Sequence, residues 1–182
     1  MNKTIRSDLF RYGGLKGFKG FRKGMKIPGF RYTYYLRMAK NNKKFTFKGA
    51  IARFFIIRLG YKYGYQIDFE AQIGKGFYIG HYGCVVVAPQ AVLGENCNIS
   101  HNVTIGGIYS GRKKGFPSIK DRVWIGTGAV IVGNIKIGSD VRISPNSFIN
   151  FDVPDNSTVI GNPARIIRKD KPSEGYINYI LD

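Results

Sequence analysis

Six isoleucines stand six residues apart near the middle of the chain: Ile119, Ile125, Ile131, Ile137, Ile143 and Ile149. An α-helix repeats every 3.6 residues and a strand every 2, so neither sustains a period of six. That period suits a chain wound into three-sided coils of about 18 residues, one short strand per side, with one large aliphatic residue from each side pointing into the prism. The same spacing runs upstream in two blocks, Ile67–Ile73–Ile79–Val85 and Val87–Leu93–Ile99–Ile105. The phase slips by two residues between Val85 and Val87, and residues 106–118 interrupt it again. In all 14 positions fit the spacing, enough for about four to five coils. Glycines follow many of them (Gly74, Gly80, Gly94, Gly106, Gly126, Gly138) and suit sharp corners. A sandwich of short strands is the competing architecture, but its alternation has period two.

The predicted fold is therefore mainly β, a parallel β-helix of hexapeptide repeats with a short basic α-helical N-terminal segment. Residues 1–65 form that segment, residues 66–153 the coil with a loop insertion at 106–118, and residues 154–182 a closing turn and tail. A chain of 182 residues has room for one principal domain with an appendage. So slender a prism gains from packing its faces against copies of itself, so self-association is expected.

The net charge of +18 is concentrated in the first third of the chain. Residues 1–66 hold 17 Lys or Arg against the single acid Asp8, whereas residues 67–182 hold 12 against 10. The first stretch also carries 15 of the 26 aromatics. Residues 1–29 read as a short helix or turn followed by a flexible basic stretch, and residues 30–40 and 48–59 as two helices joined around Asn41-Asn42. These helices are placed to cap the first coil, whose open edge needs cover. A basic aromatic surface raises nucleic acid as a partner, but no recognised binding motif accompanies it, and none is expected. Peripheral contact with anionic lipid through residues 1–65 fits better, and a solvated basic face over an aromatic core is the simplest alternative.

Cys84 and Cys97 fall inside the hexad pattern, which predicts buried thiols and no disulfide. The first residues lack the apolar run of a signal peptide, and the apolar piece from Ile51 is too short to span a bilayer. A cytoplasmic protein is expected.

Chemistry centres on the only two histidines, His81 and His101, each the third residue of a hexad. They lie 20 residues apart, one coil plus the two-residue slip. If the slip bulges at a corner, the imidazoles stack on one face, one rung apart at roughly 4.8 Å. Histidine is the usual general base near neutral pH, and it can draw the proton from a hydroxyl attacking a thioester carbonyl. A stacked neighbour that became charged would favour the neutral, proton-accepting form. A metal site is the rival reading, but no Cys, Asp or Glu stands at ligand spacing, so no metal is expected. The insertion adds flexible glycines and the cations Arg112, Lys113 and Lys114, a set suited to phosphate groups.

The stretches IGKGFYIGHYGCVVV, AVLGENCNISHNVTIGG, VWIGTGAVIVGNIKIG and VIGNPARII resemble the hexapeptide-repeat acyltransferases, in particular their serine acetyltransferase branch. The likeness covers Gln66 to Arg168, and PGFRYTYYLR upstream resembles the helical segment before the coil in that branch. The resemblance implies a left-handed β-helix, a homotrimer with active sites between neighbouring coils, and direct acyl transfer from acetyl-CoA. It puts the catalytic histidine on His81; His101, a catalytic candidate from the spacing alone, sits where the family more often has another polar residue. Acetyl-CoA contacts fall on Gly126, Thr127, Gly128, Ala129, Ser144 and Pro145, to which the composition of the insertion adds Gly107, Arg112 and Lys113 as candidates. They continue at Pro163, Ala164, Arg165 and Lys169, with backbone N–H groups holding the thioester oxygen.

Three further departures stand out. Phe116 occupies the place of the family's second histidine, Gln66 that of the aspartate partnering the catalytic histidine (Asp68 being a possible substitute), and the N-terminal part is short and basic rather than long and acidic. These departures direct the expectation toward an O-acetyltransferase acting on a sugar hydroxyl in capsule, exopolysaccharide or lipid-linked oligosaccharide assembly. The alternatives are a serine O-acetyltransferase of cysteine biosynthesis and a non-catalytic β-helix binding module.

Overall fold

The computed structural model describes residues 2–181. Four helices, α1 (Lys3–Phe10), α2 (Gly17–Gly24), α3 (Pro28–Asn41) and α4 (Phe47–Tyr63), precede fifteen short strands. The first face of the coil holds β1 (Tyr65–Ile67), β4 (Val85–Val87), β7 (Thr104–Gly106), β10 (Val130–Val132) and β13 (Phe148–Ile149). The second holds β2 (Gln72–Ile73), β5 (Val92–Leu93), β8 (Ser118–Ile119) and β11 (Lys136–Ile137). The third holds β3 (Tyr78–Ile79), β6 (Asn98–Ile99), β9 (Val123–Ile125), β12 (Val141–Ile143), β14 (Ser157–Gly161) and β15 (Ala164–Arg168). From β1 to β13 each successive strand moves to the next face and pairs in parallel with the strand one coil away, as a left-handed β-helix of hexapeptide repeats requires; β14 then pairs in parallel with β12 on the third face, and β15 runs antiparallel to β14.

The six-residue spacing maps directly onto the interior. Ile67, Val87, Ile105, Ile131 and Ile149 stack up the first face. Ile73, Leu93, Ile119 and Ile137 stack up the second, and Ile79, Ile99, Ile125, Ile143 and Val159 up the third. All are buried. Three sides this close leave room for about one large side chain each per rung, so the aliphatic recurs at the length of one side.

Three sequence expectations need correction. The stretch after Gly17, expected to be flexible, is helix α2, held because Phe21 packs edge-on against Phe30 and Tyr34 of α3. The coil does not stop at residue 153: Val153 bridges Ile137, and beyond it Val159 pairs with Ile143. Those spacings are two residues shorter than a regular coil, which breaks the sequence period while keeping the rung. The C-terminal residues do not form a loose tail. They strap the third face, with Tyr176 against Trp124 (ring centroids 4.6 Å apart), Asn98 Nδ2 donating to Tyr176 O, and Ser173 Oγ donating to the Asp140 carboxylate.

The helices close the first coil. Tyr32 OH donates to Ile67 O at 3.1 Å, and Arg37 donates to Ile73 O and Gly74 O at 2.6 Å each. Arg37 also grips Asp8 of α1 through Nε at 2.9 Å, and the same carboxylate accepts from Phe77 N–H. α4 is capped by Thr46 Oγ1, which accepts from Gly49 N–H, and ends at Gly64 in the left-handed conformation. Among the described residues no helix is long and apolar enough to cross a membrane.

The two thiols differ, against the expectation that both are buried. Cys97 lies inside the prism, whereas Cys84 sits exposed in the widened corner that follows β3. Burial pushes the Cys97 thiol up to about 12. A disulfide-exchange reagent such as dithiobis-nitrobenzoate is therefore expected to titrate one thiol in the native chain and both after unfolding. Two fast thiols in native protein would contradict the burial of Cys97.

Candidate active site

The corner between the third and first faces carries both histidines. In the first coil it spans Ile79 to Val85 and holds the two extra residues of the phase slip, so His81 stands out, exposed, with Tyr82 and Cys84. In the next coil the same corner presents His101, half-buried. The ring centroids lie 5.6 Å apart at 88°, so the imidazoles meet edge to face rather than stacking flat as the rung spacing suggested.

The surrounding backbone fixes this pair. Tyr65 OH donates to His81 O at 3.1 Å, holding the turn from the neighbouring strand. Burial, with Tyr63 and Tyr32 close by, raises the pKa of the Tyr65 hydroxyl, so it remains a donor. Gly83 has φ 138°, and a Cβ there would stand 3.0 Å from His101 Cβ, so only glycine lets the widened turn pass over the second histidine. His101 Nδ1 is buried and finds no hydrogen-bond partner among the described residues.

Thr127 and Pro145 occupy this corner in the third and fourth coils. Gly128 N donates to His101 O and Asn146 N to Thr127 O, which stacks the turns directly. Gly161 N donates to Ser147 Oγ, setting the β14–β15 turn with Pro163 and Ala164 on top. The corner thus forms one continuous edge from His81 through His101, Gly126–Ala129 and Ser144–Pro145 to Pro163. A Cβ on Gly126 would lie 2.8 Å from Ile143 O and Pro145 N, so glycine is required where adjacent turns approach.

Not every residue that sequence reasoning assigned to acetyl-CoA has a free group here. Ala129 is fully buried and Ser144 nearly so. The N–H groups of Gly126, Gly128, Ala129 and Ser144 all serve the coil's own ladder. Thr127 alone among these five keeps an N–H without a partner among the described residues. Arg165 and Lys169 are exposed on and just beyond β15.

The remaining candidates lie across the first face. An open groove of about 900 Å³ runs over it, lined by Gln66, Asp68, Cys84, Val86 and Gly107 and roofed by Tyr61 of α4 and Tyr109 of the loop. Cys84 marks its histidine edge and Asp68 the opposite one. Asp68 Oδ1 accepts from Glu70 N in a local turn, so within one chain it does not orient His81. Arg112 and Lys113 are exposed at the loop tip, away from the histidine edge. Phe116 turns back against Gly107 and Tyr109. Sequence reasoning missed Tyr65 and Gly83 because their roles depend on contacts between neighbouring coils; the slip before Val87 was the one signal that this corner is special.

Comparison with known proteins agrees with this architecture. The bacterial transferase hexapeptide family (six repeats) matches residues 116–150. The chain is 40% identical over 133 residues to a serine acetyltransferase of Staphylococcus aureus, covering 71% of this chain and 59% of the relative. It is 35% identical over 138 residues to a serine acetyltransferase of Helicobacter pylori, covering 76% and 79%. Among solved structures, serine acetyltransferase from Brucella abortus strain S19 in complex with coenzyme A has a TM-score of 0.74 at 30% identity, over 92% of this chain and 67% of that one. The chain spans less than two thirds of the length of the S. aureus relative.

These matches overturn the expected sugar acceptor. The basic N-terminal segment and the departures at Gln66 and Phe116 change a surface and one groove wall, whereas the likeness runs through helices and coil alike. On the match to the H. pylori protein, which the chain covers to 79%, it belongs to the serine acetyltransferase family of the hexapeptide-repeat transferases.

Proposed function

We propose that this chain transfers the acetyl group of acetyl-CoA to the hydroxyl of serine, with His81 as general base. The observation that carries this reading is the exposed His81 ring held against His101 at the foot of a corner that runs unbroken to Pro163. His81 takes the proton from the serine hydroxyl as that oxygen attacks the carbonyl carbon. The carbon–sulfur bond then breaks, and the same proton passes from the imidazolium to the departing thiolate. The products are O-acetylserine and free CoA. The unengaged Thr127 N–H is the donor suited to the carbonyl oxygen as it gains charge. Gly126 and Gly128 keep that edge bare of side chains, which suits an extended thioester arm.

A trimer is the functional unit in this reading, with the groove over the first face closed by a neighbouring coil. It supplies what one chain lacks, since no carboxylate among the described residues hydrogen-bonds His81. The cytoplasm, where acetyl-CoA is held and thiols stay reduced, fits free Cys84 and Cys97.

The test is incubation with acetyl-CoA and L-serine, following O-acetylserine by mass spectrometry. Product formation that saturates in both substrates supports the assignment. Folded protein that binds acetyl-CoA yet forms no O-acetylserine overturns it.

A further inference from the structure

We propose that the outer face of the helical segment docks on the surface of an anionic lipid bilayer. Within the segment its charge is one-signed at the surface as well as in sequence, with Glu70 of the coil the acid that borders it near Lys40 and Arg53. Of the 17 basic and one acidic residues before Ile67, the acid, Asp8, is 1% exposed and locked to Arg37. Arg11 and Arg37 are buried too, but the other fifteen basic side chains all reach solvent at least in part. Lys16, Lys19, Arg22, Lys23 and Lys26 cluster on and around α2, and Lys43, Lys44 and Lys48 around the α3–α4 turn.

Apolar rings rise from this same surface. Phe18 on α2 is 76% exposed, Phe45 and Phe47 at the α3–α4 turn 94% and 82%, and Phe54 on α4 61%. A ribbon of ring contacts joins the helices beneath them. Phe21 meets Tyr34 at 5.2 Å, Tyr34 meets Tyr35 at 5.3 Å, Tyr35 stacks on Phe55 at 4.5 Å, and Phe55 meets Phe54 at 5.5 Å. Past Pro28 at its start, the half-exposed residues of α3 are Arg31, Tyr34, Tyr35 and Met38, while Tyr32 and Arg37 among its buried residues reach the coil. The ribbon is therefore on the side away from the catalytic prism.

Charge identifies the occupant. A second copy would bring the same positive face and be repelled, so this surface is unsuited to self-association. Anionic headgroups answer the charge, and phenylalanine, with no polar atom to satisfy, answers to hydrocarbon. Nucleic acid shares the first property, but base stacking uses rings lining a channel. Phe18, Phe45 and Phe47 make no ring–ring contact among the described residues, and both the groove over the first face and the pocket beside Arg11 are lined by other residues. With no helix able to span a bilayer among the described residues, contact is at the interface.

The experiment is co-sedimentation of the full chain with vesicles of pure phosphatidylcholine or with about 30% phosphatidylglycerol added. Binding is expected only to the anionic vesicles, weakening at least about tenfold between roughly 0.1 M and 0.5 M salt. The triple variant Phe18→Ser, Phe45→Ser, Phe47→Ser is expected to lose at least about tenfold in affinity at low salt, with an unchanged thermal melt by circular dichroism as the fold control. Equal binding to both vesicle types, or none to either, overturns the proposal. Wild-type affinity in the triple variant overturns it as well, because adhesion would then need charge alone. Tighter, phenylalanine-dependent binding to a single-stranded oligonucleotide than to anionic vesicles would reassign the face to nucleic acid. None of these readouts depends on acetyl transfer.

Discussion

In the proposed acetyl transfer, His81→Ala is expected to lower turnover by about a hundred- to ten-thousand-fold, the range set by losing a positioned base. Coenzyme A affinity, measured by titration calorimetry, stays within about twofold of wild type, because the exposed ring contributes no packing to the prism. The loss is specific because the ring is presented by a turn with its own supports, the Tyr65 hydroxyl on His81 O and Gly83 against His101. His101→Ala produces a smaller fall, since that ring stands at the side of His81 and not at the outer edge. Near-normal turnover in His81→Ala would remove the residue from the chemistry. Lost coenzyme A binding together with lost turnover would mean that the corner itself had collapsed.

Arg37→Ala costs about 3–5 kcal/mol of folding stability, the largest single loss expected outside the prism. Asp8 and Arg37 are almost fully buried. Without the guanidinium, the carboxylate keeps only backbone donors at Gly76 and Phe77, and the carbonyls of Ile73 and Gly74 lose the Arg37 donors. The double variant Asp8→Leu, Arg37→Met is expected to recover part of the loss, because it removes the stranded charge while leaving the two carbonyls bare. Urea unfolding followed by circular dichroism measures both. A loss below about 1 kcal/mol in Arg37→Ala would show that water reaches the pair and that it behaves as a surface ion pair. The same bond couples stability to chemistry, since Ile73, Gly74 and Phe77 belong to the coil that carries His81.

How far the chain could be read in advance varies by region for a physical reason. In the prism each aliphatic answers to a repeat of fixed length, so Ile119 to Ile149 announced their faces and rungs before any coordinates. The same regularity put His81 and His101 on one corner, because the two-residue slip could be counted. Where the length of a side changes, the count fails: Val153 and Val159 continue the coil at a shortened spacing, and Cys84 leaves the interior at a widened corner. Sequence motifs also marked Gly126 to Ala129 and Ser144 without revealing that four of those five N–H groups are already engaged.

Three-sided coiling, the rung of every interior aliphatic and the one-signed charge of the first third were settled by residue order, because each depends on local spacing or on a plain count. The edge-on meeting of the imidazoles, the Tyr65 and Gly83 supports, the Asp8–Arg37 lock and the tail strapped over Trp124 were decided only by the folded chain. Each of these joins residues distant along the backbone, through contacts whose direction no local pattern encodes.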